Sequence, residues 1–527
     1  MVDFHPLINR SFPGILTQLS RDPNTTHYGS FDRNWWHYKI RDFSSIILQQ
    51  GGYFIEMAAK LPEYKDHSDQ LHEYSRASVN FWAGRAKLKG AFEEYYPWED
   101  GYPPLAFSTL AVAKIILSQN IKPSSYDGVL KKAARKLQHR FERKAANQQI
   151  AGLAALAVLK TINSGYIDHD AFVRLTKKTL ALQSEEGWFT EYDGPDLGYL
   201  SVSLDCLWDL FDYTQDQRFA DSAKRAFAFL AKLVIHNHGS IGMHNSRNTD
   251  YIVPYGICRF LASEHDENAI LAGQIIDILY SNTDHPSHFF QAVDDRYRSH
   301  YIGHSVVRAQ LILDGITQET AIKKPVSKSN SLLSGCGYAL ASWNNHRIIT
   351  SCLKGGIITI RNDDNYFNDF GWVLFDGNKQ FVTHWWTPST QFSGSPESLE
   401  ITGHPVQYKE NTSSPLKHLI LRTISYFSGY KIISLLKNLL IFRKGDQRIV
   451  FRRSIKIQSN KVVITDEFSG LKGSESIVKA PRFSKRHVAS ADSFHMEDIT
   501  MVKGYTFSTE IQKNGKLFKA TTIINPG

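Results

Sequence analysis

The chain has 527 residues, of which 42% are hydrophobic and 21% are charged, a composition typical of globular proteins. It is longer than one hydrophobic core normally supports, so we expect two or more domains. The net charge of +9 favours an anionic partner such as an acidic polysaccharide. The sequence has no dense Lys/Arg tract, zinc-finger spacing or basic zipper, which argues against a nucleic acid partner.

The beginning of the chain and its cysteines bear on its location. Residues 1–22 lack the basic and apolar regions of a secretory signal, so a cytoplasmic protein is expected. No apolar run is long enough to predict a transmembrane helix. No two cysteines form a Cys-x-x-Cys pair, which predicts buried free thiols. The four cysteines are Cys206, Cys258, Cys336 and Cys352.

Residues from about 35 to 320 have the spacing of amphipathic and buried helices. Apolar residues recur at i, i+3, i+4 and i+7 in runs such as LAFSTLAVAKIIL, IAGLAALAVLKTI and RFADSAKRAFAFLAKLVI. Gly, Pro, Asp and Asn cluster between these runs, where turns are expected. The first part of the chain is therefore predicted to be all helical.

A thirteen-residue pattern is repeated within this helical part. It occurs as GAFEEYYPWEDGY (90–102), as GWFTEYDGPDLGY (187–199) and, more weakly, as GSIGMHNSRNTDY (239–251). The first interval is about twice the second, so a degenerate unit is expected near 138–163, and a further weak unit fits at 285–312. Five or six helix pairs of this period would close into an α/α toroid, with an open solenoid as the alternative. The repeated loops should then lie on one face.

The second part of the chain has a different periodicity. Residues 315–330 are polar and charged and predict a linker. After them, short β-branched runs such as GGIITIRN and KVVITDEF alternate with turn sequences, which predicts an antiparallel β-sandwich. We therefore expect a toroid catalytic domain over 1–320, an incomplete helical barrel, and a sandwich domain over 331–527. Within the second domain, 418–442 is basic and amphipathic, and packing on its own domain is favoured over a membrane-surface anchor.

This order of elements, with Tyr, His, Asn and Arg in the toroid loops, resembles the toroid-plus-β-sandwich polysaccharide lyases. The heparinase-like and oligoalginate-lyase-like branches are nearest, and the resemblance covers roughly 35–527. It implies β-elimination on an anionic, uronate-containing polysaccharide or oligosaccharide. In that family, an Asn and a His neutralise the uronate carboxylate, a Tyr transfers protons, and a His from the sandwich closes the site.

His244, Arg247 and Asn248 match the neutralising group by residue type and loop position. Donors aimed at the carboxylate would stabilise the charge that develops during elimination, and Arg grips a carboxylate with two hydrogen bonds. The adjacent pair Asn237 and His238 is an alternative for the family's Asn and His. The same loop also fits a structured turn that caps the next helix.

The resemblance implies that Tyr251 is the acid-base residue, with Tyr199 as its repeat equivalent. Tyr301 and Tyr297 are further candidates, because they lie at suitable distances along the chain. His384, in the VTHWW segment of the sandwich, matches the closing His. A Tyr close to positive charge can act as a phenolate base.

The carboxylates of the first two repeats support a rival hypothesis of inverting glycoside hydrolysis. Such hydrolases need a protonated acid and a carboxylate base that are separated across the sugar. Glu99 and Asp196 occupy equivalent repeat positions and are predicted to contact substrate, near Glu94 and Glu191. The alternative is structural, because each of these residues can also cap a helix or pair with Arg.

Trp188 and Trp385 are predicted to stack on sugar rings, although packing between repeats explains Trp188 equally well. The acidic run RNDDNYFNDFGW (361–372) is compatible with Ca²⁺ or Zn²⁺ but equally fits a solvated turn, so no cofactor or metal is predicted. A third hypothesis is a protein that binds a polysaccharide, or assists its synthesis, without cleaving it.

Overall fold

In the computed structural model, the described residues are 2–86, 92–262, 267–281, 298–316, 330–362, 365–409, 412–440, 445–480 and 500–526, without the side chains of 434 and 437–440. The helices are α1 (His5–Gln18), α2 (Arg33–Trp36), α3 (Gln50–Ala58), α4 (Ser68–Ala86), α5 (Tyr102–Ser118), α6 (Asp127–His139), α7 (Ala146–Ile162), α8 (His169–Leu180), α9 (Leu197–Thr214), α10 (Gln217–Asn237), α11 (Tyr255–Cys258), α12 (Glu267–Tyr280), α13 (Tyr301–Asp314), α14 (Pro415–Ser428) and α15 (Lys431–Leu440).

The helices of the first part form a ring. Inner helices α3, α5, α7, α9, α11 and α13 pack in that order, and α13 packs back against α3. Burial separates the two layers, since 14 of the 17 residues of α5 are buried but only 5 of the 13 residues of α6. A helix that is apolar on all sides belongs inside, and one with a single apolar stripe belongs outside. The predicted toroid is confirmed, and the open solenoid is excluded.

The degenerate unit expected near 138–163 contains α7, which lies between α5 and α9 in the ring. The repeat interval therefore predicted this helix correctly. The weak unit at 285–312 is described only from residue 298 onwards, so the candidate Tyr297 lies outside the described residues. Most of the predicted linker lies outside them as well.

The strands of the second part are β1 (Ser331–Leu333), β2 (Tyr338–Trp343), β3 (His346–Ser351), β4 (Ile357–Arg361), β5 (Tyr366–Asp369), β6 (Trp372–Asp376), β7 (Lys379–Val382), β8 (Gln391–Ser395), β9 (Ser398–Gly403), β10 (Val406–Tyr408), β11 (Val450–Ile457), β12 (Val462–Ser469), β13 (Ser476–Lys479), β14 (Val502–Lys503), β15 (Tyr505–Asn514) and β16 (Leu517–Pro526). They pair antiparallel in three sheets, with the orders β1-β2-β3-β4-β5-β14, β10-β7-β6-β13 and β15-β16-β12-β11-β9-β8.

The third sheet is one layer of a sandwich, and the first two sheets together are the other. Ile348 and Ile358 of the first sheet share a core with Ile455 of the third, and Trp372 of the second packs with Phe468 of the third. The predicted antiparallel sandwich is confirmed. The hairpin of α14 and α15 is inserted between β10 and β11.

Buried ion pairs hold the interior of both domains. In the toroid, Asp209 of α9 accepts hydrogen bonds from Lys114 of α5 and, at 2.5 Å, from Arg308 of α13. In the sandwich, Arg453 donates to Asp466 at 2.6 Å and to Asp369 at 3.2 Å. Removing one member of such a pair would leave an uncompensated buried charge.

The sandwich docks on the third repeat loop of the toroid. The Lys354 ammonium donates to the side chain of Asn248 and, at 2.8 Å, to the Asn245 carbonyl. Tyr338 and Ser351 both donate to the backbone carbonyl of His244, at 3.1 and 3.0 Å. These bonds place the mouth of the toroid beside the sandwich.

The four cysteines are buried free thiols, as predicted. Within the described part of the chain, no helix is both long and apolar enough to cross a bilayer.

Candidate active site

A cavity of about 240 Å³ opens at the end of the toroid where the inner helices begin. Its lining includes the first residues of several of these helices, because each chain segment enters the ring there. Those residues are Pro103 of α5, Asn147 and Gln148 of α7, Tyr199 of α9, and Tyr301 of α13 with His300 just before it. The prediction that the repeated loops share one face is therefore confirmed.

The repeated loops turn sharply at residues with left-handed backbone angles. Trp98 has φ of 60°, Tyr192 of 54° and Asn248 of 59°. Such angles are uncommon outside glycine and mark tight turns. Of these three residues, Tyr192 is the one among the described lining residues.

Arg247 supplies a cation to the cavity. Its guanidinium lies 4.5 Å from the centroid of the Tyr192 ring and 4.3 Å from that of Tyr199, so it is stacked between two aromatic faces. The residue is only 2% exposed, yet it lines the cavity. Its Nη1 is 3.7 Å from Glu191 Oε2. The rings fix the guanidinium plane, which presets it for a carboxylate.

Two buried acids contact the loop that carries Arg247. Asp196 accepts backbone hydrogen bonds from the loop, and Glu191 lies beside the Arg247 guanidinium. The backbone N–H groups of Arg247 and Thr249 donate to Asp196 Oδ2, both at 3.2 Å, and that of Tyr199 donates to Oδ1 at 3.1 Å. Asp196 therefore caps α9 and fixes the third loop. Burial raises the pKa of Glu191 to about 8, although the Arg247 guanidinium opposes this shift.

Glu94 and Glu99 are the carboxyls that line the cavity itself. Glu99 Oε2 accepts hydrogen bonds from the backbone N–H groups of Glu94 and Tyr95, both at 2.8 Å. Burial, and then the neighbouring Glu94 carboxylate, raise the pKa of Glu99. Asp196 is not among the described lining residues, so the repeat-equivalent pair is not brought together in the cavity.

Three tyrosines form a connected group at the wall. The hydroxyls of Tyr251 and Tyr301 are hydrogen-bonded at 2.7 Å, and the ring of Tyr251 meets that of Tyr199 edge to face, with centroids 6.1 Å apart. Tyr199 and Tyr301 line the cavity, whereas Tyr251 lies behind them and is 2% exposed. Burial raises the pKa of Tyr251 well above its ordinary value. The geometry favours Tyr199 or Tyr301 over Tyr251 as the residue that meets a substrate.

His244 and Asn248 face the sandwich. The His244 ring shares a hydrogen bond of 2.9 Å between Nε2 and the Thr359 hydroxyl, and Asn248 accepts from Lys354. Burial, with the Lys354 charge, lowers the pKa of His244 to about 3. It is neutral at physiological pH and cannot supply a positive charge. Of the three predicted neutralising residues, only Arg247 is among the described lining residues.

The remaining predicted site residues, one His and two Trp, are not among the described lining residues of the cavity. His384 is fully buried in the sandwich and is not among the described residues of the cavity. Trp385 packs in the sandwich core with Met243 against it. Its neighbour Trp386 donates to the Asp193 carbonyl at 3.2 Å. Trp188 donates to Glu186 at 3.0 Å beside the core and does not line the cavity.

No group of three or more His, Cys, Asp or Glu side chains in the described ranges converges as metal ligands do. In the acidic run at 361–372, Asp363 and Asp364 lie outside the described residues. Asp369 of the same run pairs with Arg453 and, at 2.6 Å, with Lys479.

Solved structures with a similar fold are polysaccharide lyases. Chondroitin AC lyase of Streptomyces coelicolor A3 is 10% identical, over 99% of this chain and 77% of that one, with a TM-score of 0.48. Heparinase III is 12% identical, over 91% and 76%, at 0.45. Heparan sulfate lyase of Pedobacter heparinus is 9% identical, over 99% and 83%, at 0.41. No protein-family model and no curated protein matches the chain.

At TM-scores of 0.41 to 0.48 and identities of 9 to 12%, these likenesses concern the fold alone.

Asn147, Gln148, His300 and Tyr192 line the cavity but were not predicted as site residues. The amide oxygens of Asn147 and Gln148 are buried and have no hydrogen-bond partner among the described residues. The sequence did contain an indication of Asn147 and Gln148, because both stand at the start of the helix in the degenerate repeat unit. His300 directly precedes Tyr301, which the sequence did single out.

Proposed function

We propose that the protein is a polysaccharide lyase that cleaves an anionic, uronate-containing polysaccharide or oligosaccharide by β-elimination. The observation that carries this proposal is the stacked Arg247 guanidinium in the same cavity as Tyr199 and Tyr301. An anion-binding group and a phenol within one cavity are the two functions that elimination beside a carboxylate requires.

The charge state of the carboxyls supports an anionic substrate. Glu191, with a pKa of about 8, is protonated at neutral pH, and burial raises the pKa of Glu99 in the same direction. Protonated carboxyls do not cancel the charge of Arg247. Glu191 therefore does not cancel the charge of Arg247, which can attract a uronate, while Glu94 is the carboxylate of the same lining.

In the proposed binding mode, Arg247 holds the uronate carboxylate. Asn147 and Gln148 lie in the same lining and offer amide groups to the carboxylate or the sugar hydroxyls. Their amide oxygens are buried and have no hydrogen-bond partner among the described residues. A hydrogen bond from a ligand hydroxyl would remove the free-energy cost of burying them unpaired. These three residues take the role that the sequence had given to His244, Arg247 and Asn248.

Tyr301 is our choice for the base. Tyr251 stays protonated and can donate its hydroxyl to the Tyr301 oxygen at 2.7 Å, which stabilises a phenolate there. The Tyr301 phenolate would remove the C5 proton, and the electron pair left on C5 would form the C4–C5 double bond as the C4–O bond breaks. The leaving oxygen would take a proton from Tyr301 or from His300 beside it. This reaction uses only side chains of the chain.

Inverting hydrolysis remains the second candidate, because Glu99 lines the cavity and a raised pKa is what a general acid needs. Asp196 is a weaker base than the sequence suggested, since both of its oxygens accept backbone hydrogen bonds. Glu94 is the remaining carboxylate in the cavity.

Product analysis tests the proposal. Purified protein is incubated with acidic polysaccharides, including chondroitin sulfate, heparan sulfate and alginate, and ultraviolet absorbance and reducing ends are followed together. Elimination yields an unsaturated uronate that absorbs in the ultraviolet along with each reducing end. Reducing ends without absorbance mean hydrolysis. Binding without either product supports the third hypothesis, a non-catalytic polysaccharide-binding protein.

A further inference from the structure

The hairpin of α14 and α15 leaves an apolar face exposed. Ser414 caps the start of α14, with Pro415 at its first position, and Gly429 ends it with a φ of 53°. Only Ser425 of this 14-residue helix is buried. A helix of this kind is normally stabilised by burying one face, and α14 buries very little against its own domain. The sequence-based preference for packing on the domain is therefore wrong for α14.

The exposed side chains of α14 are large and lie on one stripe. Leu416, Ile420, Ile424 and Phe427 follow one another at intervals of four, four and three residues, which places them on one helix face. All four are exposed, Leu416 by 66% and Phe427 by 79%, and Leu419 beside them by 63%. Contiguous apolar patches of this kind mark interaction sites.

The charge around the stripe is mainly positive. Residues 412–440 contain Lys417, Arg422, Lys431 and Lys437 and no Asp or Glu, and the one described acid paired with them is Asp42, on Arg422. Tyr430, between the helices, also lines a groove with the basic face of α6. That groove includes Lys131, Lys132, Arg135 and Lys136 of α6 and Arg140 directly after it. Asp127 and Asp100 are the acids paired with this face, so it stays net positive.

A stripe of Leu, Ile and Phe bordered by cations fits the surface of an anionic bilayer. The apolar side chains enter the acyl boundary, and Lys and Arg meet the lipid phosphates. A polysaccharide would use the cations but leave the apolar stripe in water. We propose that the α14–α15 hairpin binds the surface of a bilayer that contains anionic phospholipid, lying in its plane.

The hairpin is joined to the body of the protein near the cavity. Arg422 pairs with Asp42 at 2.6 Å, and Tyr426 meets Trp98 of the first repeat loop edge to face at 5.3 Å. Ile433 and Leu436 of α15 line the cavity itself. A bound bilayer would therefore hold the cavity close to the membrane surface.

Vesicle co-sedimentation of the full chain tests this proposal. We expect the protein to sediment with phosphatidylglycerol/phosphatidylcholine vesicles about tenfold more than with phosphatidylcholine alone, and to be released by salt. Leu419→Ser with Phe427→Ser should abolish sedimentation. Phe507→Ser with Ile511→Ser is the matched control, because these β15 residues are 53% and 54% exposed, and it should sediment normally. Lys417→Gln with Lys431→Gln should weaken binding severalfold.

Three outcomes would overturn the proposal. The first is no sedimentation with either vesicle, and the second is sedimentation that Leu419→Ser with Phe427→Ser leaves unchanged. The third is a wild-type dimer that this variant converts to a monomer, without vesicle binding, which would make the face an interface between copies. All the assays read binding or size, so they are independent of the proposed lyase activity.

Discussion

The replacement of Arg247 by Gln removes the cation on which the proposed function depends. The guanidinium is buried, and two aromatic rings hold it at 4.5 and 4.3 Å. A hydrogen bond to a charged group contributes about 1.5–3 kcal/mol. One such bond lost in the transition state lowers kcat/KM by roughly 10- to 150-fold. Arg247→Lys keeps the charge but loses the planar, stacked donor, so we expect a loss of kcat/KM smaller than that of Arg247→Gln.

The assay is the initial rate of ultraviolet absorbance on the polysaccharide that the wild-type protein cleaves. Thermal unfolding of each variant shows whether it is folded. Arg218→Gln is the matched control, because Arg218 is exposed and pairs with Asp216 at 2.6 Å, and it should leave kcat/KM unchanged. If Arg247→Gln is folded and its kcat/KM stays within about twofold of wild type, the reasoning about carboxylate binding is refuted.

Other substitutions have expected effects on turnover or on stability. Tyr301→Phe should lower kcat at least about a hundredfold, because it removes the base, and Tyr251→Phe should lower kcat less. Equal turnover of Tyr301→Phe and the wild-type protein would exclude Tyr301 as the base. Asp209→Asn should lower the free energy of unfolding by about 3–5 kcal/mol in urea titrations, since Lys114 would lose its buried partner. A loss below about 1 kcal/mol would contradict the stabilising role of this buried ion pair. The pKa of Glu191 is raised from 4.5 to about 8 on folding, so its contribution to stability falls as the pH rises from 4.5 to 8. Glu191→Gln should therefore gain stability over wild type by a few kcal/mol at pH about 9 but not at pH about 5, and a pH-independent difference in urea midpoints would refute this shift.

The sequence predicted the toroid because its helices carry their own periodicity. The repeat interval located α7 even where the loop pattern had decayed, since the ring needs a helix between α5 and α9. The β-sandwich followed from alternation and turn residues in the same way. These features depend on local patterns that every copy repeats.

The site was harder to predict because it depends on the junction between the domains. In the third loop, Arg247 enters the cavity while Asn248, one residue on, accepts a hydrogen bond from Lys354 of the sandwich. The loop pattern contains no information about Lys354, so His244 and Asn248 could not be separated from Arg247. Asn147 and Gln148 were missed because they belong to the degenerate unit, in which the loop pattern that marks the other repeats is no longer recognisable.

The product of the reaction tests the central claim most directly. Uronate polysaccharides are incubated with wild-type protein and with Tyr301→Phe, and ultraviolet absorbance and reducing ends are measured in the same samples. We predict that both signals rise together with the wild-type protein and that both are lost in the variant. Reducing ends that appear without absorbance, and that persist in Tyr301→Phe, would contradict elimination in this cavity.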